Sequence, residues 1–179
     1  MTARPASSRF LSYVLRHNPA AIGLTLDGHG WVSVDDLLAA LAEHGRPLDR
    51  PGLARLLAGS DKQRFERHDD RIRATHGHSI PVDLALTPAA PPAVLYHGTV
   101  EQFLTAIHSQ GLLPAGRRHV HLSADPRTAA AVAARRGRPV VLHIDAAGMH
   151  TAGHVFYRTT GGIWLTSHVP PRWLSPTTP

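Results

Sequence analysis

The apolar residues of the first half recur with the spacing of short amphipathic helices. One run predicts a helix over Ser8 to His17 that ends before Pro19, because proline disfavours a helical residue ahead of it. Ser33 and Asp49 each precede another apolar stretch and are the predicted N-caps of a second and a third helix. Two alternating segments then flank a predicted hairpin turn at His68–Asp70. Three helices followed by a basic hairpin predict a winged-helix-like lobe. Four arginines fall on the predicted wing: Arg64, Arg67, Arg71 and Arg73.

The second half alternates short apolar strands with helices. Strands are predicted at residues 93–97, 119–122, 140–144, 155–157 and 163–165. A helix is predicted over 100–110, with Phe103, Leu104 and Ile107 buried. Asp125 opens another, alanine-rich helix that is predicted to run to about Arg136. The mixture predicts an α+β fold.

A proline-rich segment, LTPAAPPAV, separates the two halves. Closely spaced prolines exclude a helix or a central strand there. We therefore expect a first lobe over residues 1–86, a linker over 87–93 and a second lobe over 94–179.

Composition and charge narrow the class of partner. The 179-residue chain has a net charge of +6, which favours a polyanion such as a nucleic acid or a nucleotide. Lys62 is the only lysine, and arginine suits bidentate phosphate contacts, although a GC-rich coding bias explains the arginine content equally well. The absence of cysteine excludes disulfides and thiolate metal ligands. Without a long apolar run or an apolar signal core, we expect a cytoplasmic protein with no membrane partner, and a monomer.

Arg16 and His17 are the first candidates for chemistry. A guanidinium beside an imidazole suits a phosphate, because one group binds two oxygens and the other exchanges a proton. Taken alone, the pair is explained more simply as cations at the C-terminus of a helix. The motifs of the second half favour a role in phosphate binding over helix capping alone.

Two short motifs of the second half follow or form strands. One is Tyr96-His97-Gly98-Thr99, whose strand-edge His-Gly-Thr can hold a ribose and whose glycine allows close approach of a ligand. The other is HVHLS, which contains His121 and Ser123 and follows two adjacent arginines, Arg117 and Arg118. Both motifs also fit the paired His-x-Thr/Ser units of two-histidine phosphodiesterases, an alternative in which the histidines act as acid and base. No acidic residue or cysteine stands at ligand spacing beside the His-x-His pairs, so we expect no metal.

Taken together, these segments resemble the RNA 2′-phosphotransferase family. The matching segments occur in the family's order: LSYVLRHNP, LTLDGHGWV, KQRF, RIRATHGHS, VLYHGT, GLLP, RRHVHLS, GHVFYRT and GIWLT. The resemblance implies a winged-helix RNA-binding lobe and an ADP-ribosyltransferase-like lobe that binds NAD. It also implies that an RNA 2′-phosphate attacks NAD⁺ and is then transferred to the ADP-ribose.

The resemblance implies specific site residues. The family's catalytic set corresponds to Arg16, His17, Arg64 and Arg117, with Arg118 as a competing position for the last. The NAD-binding residues correspond to Tyr96, His97, Gly98, Thr99, His121 and Ser123. The chain departs from the family pattern at His76, where glutamine is frequent, and at Gly161-Gly162, where Asn-Gly is frequent. Other hypotheses are ADP-ribosylation of terminal nucleic-acid phosphates and a non-catalytic nucleic-acid binder.

Overall fold

The protein has the mixed α+β composition that the sequence predicts, and its residues group into two units. The computed structural model describes residues 6–59 and 63–176. The units are Met1–Ala85 and Leu86–Pro179. No helix in the described part of the chain is long and apolar enough to cross a membrane.

The first unit combines three helices with a small antiparallel sheet. The helices are α1 (Ser8–Arg16), α2 (Val34–Glu43) and α3 (Arg50–Ala58), and a short 3₁₀ helix covers Pro19–Ile22. The strands are β1 (Val32–Ser33), β2 (Phe65–His68) and β3 (Arg71–Ala74), in the order β1-β3-β2. The buried face of α1, with Leu11, Val14 and Leu15, packs into one core with residues of α2, α3 and the sheet.

The predicted caps and hairpin of this unit are confirmed. The Ser33 hydroxyl accepts a hydrogen bond from the Asp36 amide at 3.1 Å, and the Asp49 carboxylate accepts one from the Gly52 amide at 2.7 Å. Such side-chain oxygens satisfy amides that the first helical turn leaves free. The turn between β2 and β3 lies at Asp69-Asp70, and Asp69 adopts a φ of 53° there.

The second unit is built on two three-stranded antiparallel sheets. Its strands are β4 (Val94–Val100), β5 (Val120–Leu122), β6 (Pro139–Asp145), β7 (Phe156–Arg158), β8 (Trp164–Thr166) and β9 (Leu174–Pro176). Its helices are α4 (Leu104–Gln110), α5 (Pro126–Ala133) and α6 (Ala146–Thr151), with 3₁₀ helices at Glu101–Phe103 and Pro171–Trp173. One sheet has the order β4-β6-β9 and the other β5-β8-β7. A single bridge between Tyr96 and Ser123 joins β4 to β5.

Two predictions for this unit are wrong in detail. Phe103 is 41% exposed rather than buried, because it ends a 3₁₀ turn before α4 begins, and Leu104 and Ile107 are only half-buried. The alanine-rich helix α5 ends at Ala133 and does not continue to Arg136. The chain turns instead at Gly137, whose φ of 143° is open to glycine and not to a helix, and Pro139 follows.

Part of the proline-rich segment lies along the edge of β7. Pro88 forms an isolated bridge with Tyr157, and the Ala89 amide donates to the Phe156 carbonyl at 2.9 Å. A proline is tolerated at such an edge because its missing N–H faces away from the ladder. This segment belongs to the second unit.

Candidate active site

Arg16 stands at the end of α1 and reaches the entry of β2. It is the last residue of the helix, and its Nη2 donates to the carbonyl oxygen of Arg64 at 3.2 Å. The same carbonyl accepts the amide of Thr75 at 3.0 Å, which fixes the start of the hairpin. Residues 48 positions apart in sequence thereby meet at one point.

The Arg64 guanidinium contacts the first turn of α1, at the other end of the helix from Arg16. Its Nη1 donates to the hydroxyl of Ser8, in the first turn of the helix, at 3.1 Å. Arg64 and Arg16 are both half-buried. A planar guanidinium held in this way loses less conformational freedom on binding a phosphate than a mobile one.

His17 completes the group and depends on a residue that sequence reasoning missed. As the C-cap of α1, it donates its amide to the Tyr13 carbonyl at 2.9 Å. Its ring Nδ1 lies 2.9 Å from the Ser79 hydroxyl, and the Ser79 amide donates to the Arg16 carbonyl at 3.0 Å. Ser79 ends the segment RIRATHGHS. The sequence alone does not show that this segment lies beside the end of α1, so Ser79 could not be predicted as a partner of His17.

The second unit places His97 where β4 meets β5. His97 Nδ1 lies 3.0 Å from the carbonyl oxygen of His121. A carbonyl only accepts, so Nδ1 carries the proton and donates, and Nε2 of the neutral ring is left as an acceptor. Burial lowers the pKa of His97, and the nearby charges of Arg136 and Arg117 act in the same direction, whereas the bond to His121 opposes them. The ring is therefore neutral at pH 7.

The neighbours of His97 serve partly to build this junction. The amide and carbonyl of Tyr96 exchange hydrogen bonds with Ser123 at 2.8 and 2.9 Å. The Ser123 hydroxyl donates to the Asp125 carbonyl at 2.9 Å and so lies at the N-terminus of α5. Thr99 is buried further along β4. Tyr96, His97, His121 and Ser123 thus lie together at the β4–β5 junction.

Gly98 has a packing role that the sequence does not reveal. A β-carbon at this position would lie 1.9 Å from the Ala129 carbonyl oxygen, because α5 packs directly on β4. The absence of a side chain at Gly98 is therefore required by the helix. The sequence suggested that Gly98 lets a ligand approach closely. In the structure the backbone of α5 makes that close approach.

The structure separates the two arginines that the sequence left in competition. The charge of Arg117 acts on His97, whereas the charge of Arg118 acts on His119. Partial burial and repulsion from Arg136 lower the pKa of Arg117. Arg117 therefore shares the surroundings of the candidate ribose-binding histidine, and Arg118 does not.

The two departures from the family pattern lie in well-defined turns. The Thr75 hydroxyl donates to the Gln63 carbonyl at 2.9 Å and so accepts from His76 Nδ1, which is 2.8 Å away. Gly162, at a φ of 77°, closes the turn between β7 and β8 with its amide on the Thr159 carbonyl at 2.9 Å. Gly162, the position at which this turn needs a positive φ, is glycine in this chain as in the family pattern. Lys62, in the segment KQRF, lies outside the described residues.

The arginine–imidazole group of the first unit is of the kind found in proteins that act on phosphate groups. Within residues 6–59 and 63–176 no three histidine, aspartate or glutamate side chains are grouped as metal ligands would be.

Comparison with known proteins gives the particular family. The model of the RNA 2′-phosphotransferase, Tpt1 / KptA family matches residues 3–168. The chain is 56% identical over 167 residues to a protein of Streptomyces coelicolor named probable RNA 2′-phosphotransferase, covering 93% of this chain and 92% of that one. It is 54% identical to a Pseudomonas aeruginosa protein of the same name, with 94% of each covered. The chain belongs to the RNA 2′-phosphotransferase family, whose members are transferases.

Proposed function

We propose that this protein removes an internal 2′-phosphate from RNA, of the kind left at a tRNA splice junction, with NAD⁺ as the co-substrate. One observation carries the proposal. Hydrogen bonds across 48 and 62 residues of sequence bring the Arg64 carbonyl to the Arg16 side chain and the Ser79 hydroxyl to the His17 ring. A group assembled in this way from distant segments is more than the capping of one helix.

The first unit supplies the phosphate-binding group. A 2′-phosphate monoester carries close to two negative charges at neutral pH. Arg16 and Arg64 provide guanidinium donors, and His17 provides an imidazole oriented by Ser79. Such fixed donors hold an already ionised phosphate oxygen ready to attack without a strong base.

The second unit supplies an acceptor suited to a sugar. Because His97 donates through Nδ1 to His121, its Nε2 can accept a ribose hydroxyl. The pKa of His97 is lowered by burial, which keeps Nε2 unprotonated at neutral pH. The residues at the β4–β5 junction therefore fit the nicotinamide-bearing dinucleotide, and Arg117 adds positive charge close by.

The reaction then has two steps. In the first, an oxygen of the RNA 2′-phosphate bonds to the anomeric carbon of the nicotinamide ribose, and nicotinamide leaves with the electrons of the glycosidic bond. In the second, the adjacent ribose 2″-hydroxyl attacks phosphorus and loses its proton, and the RNA 2′-oxygen leaves. The products are RNA with a free 2′-hydroxyl and ADP-ribose 1″,2″-cyclic phosphate. Arg64 and Arg117 stabilise charge on the phosphoryl group during this second step.

The test uses an oligoribonucleotide with one internal 2′-phosphate, incubated with and without NAD⁺ and no divalent metal. We expect loss of the 2′-phosphate and release of nicotinamide in equal amounts, only with NAD⁺. Arg16→Ala should abolish both, whereas Arg9→Ala, which removes an exposed arginine from the same helix, should not. Full loss of phosphate without NAD⁺ would instead indicate a phosphodiesterase or phosphatase, and the proposal would be wrong.

A further inference from the structure

The positive charge of this protein is unevenly distributed. Residues 1–85 hold 11 lysines and arginines against 10 aspartates and glutamates, whereas residues 86–179 hold 8 against 3. Nearly all of the net charge of +6 therefore belongs to the second unit. This is the unit to which the sequence motifs assign the dinucleotide and not the RNA.

Two of the four arginines on the predicted wing of the first unit have carboxylate partners. Arg73 is ion-paired with Glu66, and its side chain is only 14% exposed. Arg71 lies 3.8 Å from the Asp27 carboxylate, and its guanidinium and that of Arg73 stack on Trp31. Arg73 is therefore withdrawn from solvent by its ion pair, whereas Arg71 stays 53% exposed beside Asp27.

Asp125 and Asp145 of the second unit form no ion pair with an arginine, although the charge of Arg127 acts on Asp125. Asp125 accepts hydrogen bonds from the amides at the start of α5, the shortest being 2.8 Å from Thr128, and Asp145 accepts the Gly148 amide at 2.8 Å. Both are helix caps. In the described residues 86–176, no arginine is ion-paired, because every arginine ion pair lies in the first unit.

Two of these arginines, Arg117 and Arg136, lie close enough to His97 for their charges to act on it. Arg117 and Arg118 precede β5, and the loop Arg135–Arg138, called here the arginine loop, follows α5. Gly137 places the loop against the end of β4, where a β-carbon would lie 3.7 Å from Val100 Cγ1. Arg136 is close enough to both His97 and Arg117 for its charge to act on them. The exposed Arg135 and Arg138 flank it.

We propose that the arginine loop binds backbone phosphates of the RNA substrate. This inference rests on the proposed function, since RNA is the substrate there. A diphosphate bridge carries only about two charges, fewer than the four arginines Arg117, Arg135, Arg136 and Arg138, whereas RNA offers a phosphate at every nucleotide. Arginine forks match such phosphates in geometry, and their exposure on a loop leaves them accessible.

The test compares Arg135→Gln and Arg138→Gln with Arg127→Gln. Arg127 is exposed at the opposite end of the same helix, about 12 Å away by helical rise, and its loss changes the net charge equally. Arg136 is left intact because its charge reaches His97. The dissociation constant is measured without NAD⁺, so no turnover occurs, for a long 2′-phosphorylated oligoribonucleotide and for a 2′-phosphorylated dinucleotide. The KM for NAD⁺ is measured separately.

We expect each loop variant to bind the long RNA about fivefold more weakly, as loss of one exposed charge-assisted contact implies. The slope of log Kd against log salt should fall by about 0.7 for each lost phosphate contact. Binding of the dinucleotide, the KM for NAD⁺ and the thermal unfolding midpoint should stay unchanged, and Arg127→Gln should behave like the wild type.

Three outcomes would overturn the inference. Equal weakening by Arg127→Gln would show a general charge effect, and a raised KM for NAD⁺ with unchanged RNA affinity would assign the loop to the dinucleotide. Wild-type RNA affinity and salt dependence in both loop variants would leave it a solvated surface. Failure of the proposed function is distinguishable, because it would appear as NAD⁺-independent chemistry in the wild-type protein.

Discussion

Replacing Gly98 by alanine tests whether the contact between β4 and α5 positions His97. The added β-carbon would lie 1.9 Å from the Ala129 carbonyl oxygen, 2.7 Å from its carbonyl carbon and 3.1 Å from the β-carbon of Ala133. Two of these atoms are backbone, so no side-chain rotation relieves the overlap. Helix α5 would have to move away by about 1.4 Å to restore an ordinary carbon–oxygen contact of about 3.3 Å.

The expected cost is large for one methyl group. Overpacking of this kind typically destabilises by about 1 to 3 kcal/mol, and the upper end applies because a whole helix must move. For a unit of this size that corresponds to a midpoint lower by roughly 10 °C or more. A displacement of about 1 Å in the residues that hold a substrate can also cost about a hundredfold in rate.

Thermal unfolding and steady-state kinetics of Gly98→Ala would measure both effects, with Gly116→Ala as the matched control. A β-carbon at Gly116, in the same unit, meets no atom within 4 Å, so its substitution should leave stability within about 0.5 kcal/mol of the wild type. A Gly98→Ala protein with the wild-type midpoint and wild-type kcat/KM would refute the claim that β4 and α5 are in rigid backbone contact.

Three further predictions concern the site residues. The free energy of unfolding should fall as the pH drops below 6.5, because the pKa of His97 is lowered in the folded protein and the unfolded chain therefore binds a proton that the folded chain does not. Denaturant titrations of His97→Gln should show a weaker dependence of the unfolding free energy on pH, and a dependence identical to that of the wild type would contradict the prediction. Arg64→Ala or Arg117→Ala should slow the second step about a hundredfold, or about 3 kcal/mol, and accumulate RNA bearing 2′-phospho-ADP-ribose as a slower gel band; loss of all reaction with no such band would assign these arginines to the first step or to binding. Ser79→Ala should lower kcat/KM about tenfold through the loss of one hydrogen bond to His17 while leaving the thermal midpoint unchanged, and a kcat/KM equal to that of the wild type would show that Ser79 does not orient His17.

Features that depend on neighbouring residues were predictable from the sequence. Ser33 and Asp49 cap their helices because a short polar side chain before an apolar run has few other uses. The same local rules failed for α5, where helix-favouring alanines and arginines extend beyond the true end at Ala133. The turn at Gly137 decides that end, and its effect on the preceding residues is not visible in their propensities.

Charge compensation could not be predicted from the sequence. In the hairpin, Glu66 pairs with Arg73 and the Asp27 carboxylate lies 3.8 Å from Arg71. A composition cannot show this, because pairing depends on which carboxylates fold against which guanidinium groups. In the second unit the carboxylates of Asp125 and Asp145 cap helices and accept hydrogen bonds from backbone amides. The positive charge that a surface of this protein can offer to a polyanion therefore depends on where its few carboxylates lie as much as on where its many arginines lie.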